Sequence, residues 1–146
     1  MEIRFKLMRE GAQLPVFSTE GAAAADLFAS LDGTVTLPVG GYAAIPTGLA
    51  IELPSAEYVA LILPRSGLSV KHGITLRNTV GVIDSDYRGE MCVTLVNNGQ
   101  EPFVIENGFR IAQLLITSAY RFTATAADQL STTERGAGGF GSTGLK

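Results

Sequence analysis

The sequence predicts an all-β domain on three observations. Apolar residues recur at period two more often than at helical spacing, the β-favouring runs are short and closely spaced, and residues that tolerate positive φ stand between them. In the first run Ile3, Phe5 and Leu7 alternate with Arg4 and Lys6, the pattern of a strand with one face on a core. Further runs rich in β-branched and aromatic residues follow at 35–37, 42–53, 58–63, 74–83, 91–96, 103–105 and 111–120. Asp32-Gly33, Gly40-Gly41, Asn98-Gly99 and Asn107-Gly108 supply the tight reversals that antiparallel neighbours require. Only 21–30 and 66–71 have the composition for short helical turns. The reading is one compact barrel or sandwich without internal repeats.

A chain of 146 residues is the size of one domain. A formal charge of −3 gives no overall attraction to nucleic acid or anionic lipid, so neither is expected as a partner, and any polyanion must be a small one held by a few local charges. Cys92 is the only cysteine, which excludes an internal disulfide and a cysteine zinc cluster and fits a reducing compartment; cytoplasmic localisation is expected. Lying between Met91 and Val93 in a β run, Cys92 reads as a small buried hydrophobe. His72, the only histidine, reads as structural or solvated. The first residues lack the apolar run of a signal peptide, and no stretch approaches the roughly 18 apolar residues of a membrane span.

From residue 126 the apolar periodicity disappears, and 126–146 carries glycine at 136, 138, 139, 141 and 144, so it cannot form a core of its own. The expected division is a β core over 1–125 and a flexible tail over 126–146. Composition alone would make that tail a plain disordered terminus. Arg135 and Phe140 point to more, because a guanidinium pairs bidentately with phosphate oxygens, an aromatic ring lies on a base, and glycines let backbone amides approach an anion. The run 136–141 formally satisfies G-x-G-x-x-G, but it neither ends a strand nor opens a helix, and no Gly-Lys-Ser/Thr follows to grip phosphates.

Three further stretches offer chemistry, and each also has an ordinary structural reading. In Gly81-Val82-Ile83-Asp84-Ser85-Asp86-Tyr87-Arg88-Gly89-Glu90 an acidic reversal between β runs reads as a hairpin whose aspartates can simply form the turn. Equally, a carboxylate ending a buried strand can act as general base while free backbone groups of the reversal read the edge of a flat base; Asp84, directly after Val82 and Ile83, is the better placed. Pro64-Arg65-Ser66-Gly67-Leu68-Ser69 offers a guanidinium and a hydroxyl to an anion, or a strand-to-helix turn with Ser66 as N-cap. Gly108-Phe109-Arg110-Ile111-Ala112-Gln113 is either a similar polar site or a turn entering a strand.

Taken together in order, five segments resemble the five motifs of the trimeric dUTPase family. They are Ala23-Ala24-Ala25-Asp26-Leu27-Phe28-Ala29, Pro64-Arg65-Ser66-Gly67-Leu68, the 81–90 stretch, Gly108-Phe109-Arg110-Ile111-Ala112-Gln113, and Arg135-Gly136-Ala137-Gly138-Gly139-Phe140-Gly141-Ser142-Thr143-Gly144. The second, third and fifth are the most specific. Ala24 and Ala25 stand where the family usually has glycine and a larger residue, and Phe109 replaces a usual acidic residue.

The resemblance implies a jelly-roll-like β-barrel of the dUTPase-like β-clip type with a flexible glycine-rich C-terminal arm, assembled as a homotrimer with active sites shared between subunits. It implies hydrolysis of dUTP to dUMP and pyrophosphate, which limits uracil incorporation into DNA and supplies dUMP for dTMP synthesis. Asp84 is the implied base that activates water for attack on the α-phosphorus. Arg65, Ser66, Gly67 and Gln113 are implied to bind the α and β phosphates; Arg135, Gly141, Ser142 and Thr143 the γ-phosphate; Asn78, Gly81 and Ile83 the uracil; Tyr87 the deoxyribose; and Phe140 stacks on the base. Mg2+ is the implied cofactor, bridging phosphate oxygens with no direct protein ligand, while Asp26 acts through water or by orienting Arg65. Two rival readings are a dCTP deaminase-like enzyme of the same fold and a dUTP-gated, partner-binding regulator.

Overall fold

The computed structural model describes residues 1–139. Eleven strands and one helix run along the described residues: β1 (Arg4–Leu7), β2 (Ala25–Phe28), β3 (Val35–Leu37), β4 (Tyr42–Pro46), β5 (Leu49–Glu52), β6 (Tyr58–Leu63), α1 (Ser66–His72), β7 (Ile74–Leu76), β8 (Gly81–Ile83), β9 (Cys92–Asn97), β10 (Phe103–Ile105) and β11 (Arg110–Ser118). All pairings are antiparallel. The strands form a four-stranded sheet in the order β2-β11-β6-β8, a three-stranded sheet β4-β9-β7, and the pairs β1-β5 and β10-β3. The all-β class is as expected and the arrangement jelly-roll-like, but the hydrogen bonding is divided among separate sheets and does not close into one barrel. Leu27, Ile45, Leu49, Leu95, Ile105 and Ile111 are among the side chains that fill the space between the sheets.

Several expected elements differ in detail. The run 42–53 is two strands, because the chain turns at Thr47 and at Gly48, whose φ of 70° is left-handed. The run 74–83 is likewise β7 and β8, separated by a loop in which Thr79 holds φ 61°, a conformation unusual for a β-branched residue. The segment 21–30 forms β2 where helical turns were expected. Ala25 to Phe28 are buried on both faces of the strand, so pairing with β11 and the bridge from Asp26 to Val16 override the helical preference of alanine. The acidic reversal is not a hairpin, since β8 pairs with β6 while β9 pairs with β4 and β7; it carries the chain from one sheet to another. Ser66 opens α1 without capping it, the N-cap position belonging to Arg65. Cys92 is exposed, not buried: Met91, Val93 and Leu95 take the inward positions, so strand alternation turns Cys92 outward.

Two polar fastenings join the layers. Asn97, fully buried, donates from Nδ2 to the carbonyls of Leu37 at 3.0 Å and Glu101 at 2.8 Å, and its Oδ1 accepts from the amide of Gly99 at 2.8 Å. Glu90 takes the guanidinium of Arg9 and the amide of Gly48, tying the end of the acidic reversal to the β4–β5 turn. Arg9 holds the Glu90 carboxyl below its ordinary value, with the Gly48 amide assisting against desolvation.

Asn97→Ala leaves the buried Leu37 carbonyl and two part-buried backbone groups without their bonds and should lower unfolding free energy by about 1–3 kcal/mol, read from denaturant midpoints at constant slope. A loss within experimental error would mean that solvent replaces those bonds. Because the folded Glu90 carboxyl is depressed, its contribution to stability is present above its unfolded value and lost as pH falls through the folded one. The melting-temperature gap between the parent and Glu90→Gln should therefore be widest near neutrality and shrink below about pH 4; a gap that grows on acidification would contradict this.

Candidate active site

The buried carboxylate of Asp26 organises one polar centre. In the four-stranded sheet Asp26 on β2 lies opposite Gln113 on β11, which lies opposite Leu63 at the end of β6. Pro64 and Arg65 follow directly, and the extended backbone of Arg65 (φ −88°, ψ 125°) places its side chain back toward β2. Asp26, 1% exposed, accepts at Oδ1 from Nε of Arg65 at 3.0 Å and Nε2 of Gln113 at 3.4 Å. At Oδ2 it accepts from the Ser18 hydroxyl at 2.8 Å and pairs with Nη1 of Arg110 at 3.3 Å. Arg65 also donates to the Arg110 carbonyl at 3.2 Å, and the Arg110 guanidinium lies 5.8 Å from the centroid of the Phe28 ring.

Two cations on one carboxylate leave a net positive charge, and both guanidiniums are partly exposed. This is a surface that can hold an anion, with the exposed Ser66 and Gly67 beside Arg65. A carboxylate has about four lone-pair sites, and these four donors fill them. Asp26 is thus engaged in orienting its neighbours, and no group of three or more potential metal-ligating side chains occurs among the described residues.

A second region surrounds the acidic reversal. Val82, Ile83, Asp84, Tyr87, Glu90, Met91 and Cys92 line a cleft of about 350 Å³. Asp84 is exposed and Val82 is 61% exposed, so the expected buried strand end is instead an open edge of the sheet. The Asp84 carbonyl accepts from the Tyr87 amide at 3.1 Å, and the Tyr87 phenol donates to the Glu90 carbonyl at 3.0 Å. Gly89 makes room for that ring, which any Cβ at position 89 would strike. Gly81 is buried beside Ile62, while Asn78 is exposed in the loop before it.

Within one chain these regions lie apart. Asp26, Gln113 and Leu63 share a row at one end of β6, whereas Ile83 pairs with Ala60, with Asp84 one residue further along. That is roughly 13 Å along the strands and, across the three strand spacings from β2 to β8, roughly 14 Å. The described part of the tail joins neither region: Arg135 Nε donates to the Gly138 carbonyl at 2.8 Å in a local turn, and Tyr120 and Phe122 upstream are 92% and 88% exposed. Phe140, Gly141, Ser142 and Thr143 lie outside the described residues.

The expected site residues Arg65 and Gln113 are thus brought together at Asp26, while Asn78, Gly81, Ile83, Asp84 and Tyr87 gather elsewhere. The place of Ser18 in the polar centre had no signal in sequence, since eight residues and an irregular bridge separate it from Asp26. Arg110 was legible only as part of a motif, with no partner attached.

The family model of dUTPases matches residues 10–144. The deoxyuridine 5'-triphosphate nucleotidohydrolase of Treponema denticola is 51% identical over 145 residues, covering 99% of each chain. Its counterpart from Desulfitobacterium hafniense is 50% identical, covering 99% of this chain and 96% of its own. The solved structure of Staphylococcus bacteriophage 80alpha dUTPase with dUpNHpp superposes with a TM-score of 0.86 at 27% identity, and a mutant of that enzyme with the same nucleotide reaches 0.89 at 27%; each covers 99% of both chains. With its motifs in order and relatives half-identical from end to end, the chain belongs to the dUTPase family.

Proposed function

We propose that this protein hydrolyses dUTP to dUMP and pyrophosphate at sites completed by neighbouring copies in a homotrimer. The observation that carries the reading is the convergence of three distant motifs on Asp26, which presents Arg65, Arg110 and Gln113 as one anion-binding surface. Arg65, Ser66, Gly67 and Gln113 hold the α and β phosphates. Asp84 takes a proton from a water as that water's oxygen bonds to the α-phosphorus; the bond from phosphorus to the α–β bridging oxygen breaks, and pyrophosphate leaves. The oxygens of the transferring group gain charge along this path, so guanidiniums fixed in advance lower the barrier.

Uracil is read by backbone groups around Asn78, Gly81 and Ile83. Tyr87 lies against the sugar, where a 2′-hydroxyl would collide with the ring. The tail, taken as 126–146, closes over the nucleotide with Arg135, Gly141, Ser142 and Thr143 on the γ-phosphate and Phe140 on the base. The donor set fits Mg2+ held mainly by the substrate, since the oxygens of Asp26 are already occupied and magnesium retains its waters readily. When bound, the ion neutralises phosphate oxygens.

Distance supports sharing between subunits. A base and the phosphorus it serves must be separated by only one water, whereas Asp84 and the Asp26 centre of one chain lie roughly 20 Å apart by strand geometry. A second copy supplies the missing half, and the exposed Tyr120 and Phe122 belong to a segment with little support from its own core. The free thiol fits work in the cytoplasm, and no helix among the described residues is long and apolar enough to cross a membrane. Removal of dUTP there limits uracil in DNA and supplies dUMP for dTMP synthesis.

Asp84→Asn should reduce kcat for pyrophosphate release from dUTP about a thousandfold while shifting melting temperature by no more than about 2 °C; retention of full activity would remove Asp84 from the reaction. Arg65→Ala should also be inactive, yet the two inactive proteins, unfolded together and refolded as a mixture, should regain part of the parental rate. Activity that fails to return in assemblies of three times the 15.4 kDa chain would refute the shared site.

A further inference from the structure

Arg9 precedes every motif of the family match, yet its side chain ends on Glu90, which lines the cleft beside the acidic reversal. Its Nε donates to Glu90 Oε1 at 2.8 Å and its Nη2 to Oε2 at 3.4 Å, a two-pronged pair at the closing end of the acidic reversal. The segment carrying Arg9 is itself fastened, since the Met8 amide donates to the Gly48 carbonyl at 2.7 Å while the Gly48 amide donates to the same Glu90 carboxylate at 2.9 Å. Glu90 in turn presents its backbone carbonyl to the Tyr87 hydroxyl at 3.0 Å. Between them Gly89 leaves no spare room beside the ring. The far end of Tyr87 is therefore held by a residue whose side chain Arg9 holds, and Tyr87 and Glu90 line the same cleft.

We propose that Arg9 is a positioning residue for sugar recognition, acting through Glu90 to fix the Tyr87 ring against the deoxyribose. This rests on the reading of the cleft as the nucleoside pocket. The pair holds the ring's anchor through its two-pronged geometry and the Gly48 amide on the same carboxylate, and Arg9 holds that carboxyl below its ordinary value. A guanidinium suits the position because its fork meets both carboxylate oxygens, whereas an ammonium meets them as a point charge. Releasing the pair frees the Glu90 carbonyl to rotate and gives the ring room to yield to a 2′-hydroxyl.

The test is steady-state hydrolysis of dUTP and of UTP by the full-length parent, Arg9→Ala, Arg9→Lys, Glu90→Gln and the Arg9→Ala/Glu90→Gln double variant. The dUTP:UTP ratio of kcat/KM should fall about tenfold in Arg9→Ala, mostly through a lower KM for UTP, with kcat for dUTP changed less than about twofold. Arg9→Lys should lie between, and the double variant should be no worse than the more affected single one, as expected of residues acting in series. An unchanged ratio in Arg9→Lys, Glu90→Gln and Arg9→Ala, with or without a lower melting temperature, would overturn the proposal and leave Arg9 a purely structural fastening. A parent that does not prefer dUTP to UTP would instead overturn the reading of the cleft.

Discussion

A single buried carboxylate constrains the architecture around it. Removing the charge of Asp26 from water is costly unless paired and hydrogen-bonded groups replace its hydration, and here two guanidiniums, an amide and a hydroxyl do so. Those groups come from the end of β6, from β11 and from the segment before β2, so satisfying one carboxylate aligns three elements far apart in sequence. The same arrangement leaves surplus positive charge at the protein surface. A structural requirement and an anion-binding surface are thereby met by the same atoms, and the organising role of Asp26 needs no direct contact with a ligand.

Sheet geometry then separates the two polar regions of one chain. β8 lies at the edge of the four-stranded sheet and β2 at its other edge, with the acidic reversal and the Asp26 row displaced along the strands as well. One copy therefore holds the Asp26 centre and the acidic reversal at opposite corners of the sheet.

The acidic reversal shows how a loop can be precise without being buried. Its far end is tied by Glu90 to Arg9 and Gly48, the Tyr87 hydroxyl returns to the Glu90 carbonyl, and Arg88 donates to the carbonyls of Ser85 and Tyr87. These are short-range polar bonds anchored on the β4–β5 turn. They leave Asp84 exposed while the Tyr87 ring near it is held.

Much of this was legible in the residues themselves. The strands 35–37, 58–63 and 103–105 coincide with β3, β6 and β10 because turn-forming residues bound each run, and the helical reading of 66–71 coincides with α1 apart from its last residue. The motif order identified the family because each motif joins residue types that phosphate and base recognition require. Other features depended on contacts that periodicity does not encode. β2 is a strand because β11 and the core enclose it, and long apolar runs break where a left-handed residue turns the chain into another sheet. Cys92 faces outward because its two neighbours occupy the core. The residues alone carried the class, the motifs and the family; only the tertiary structure decided which motif residues meet, since the desolvation of Asp26 and the antiparallel registers act between positions dozens of residues apart.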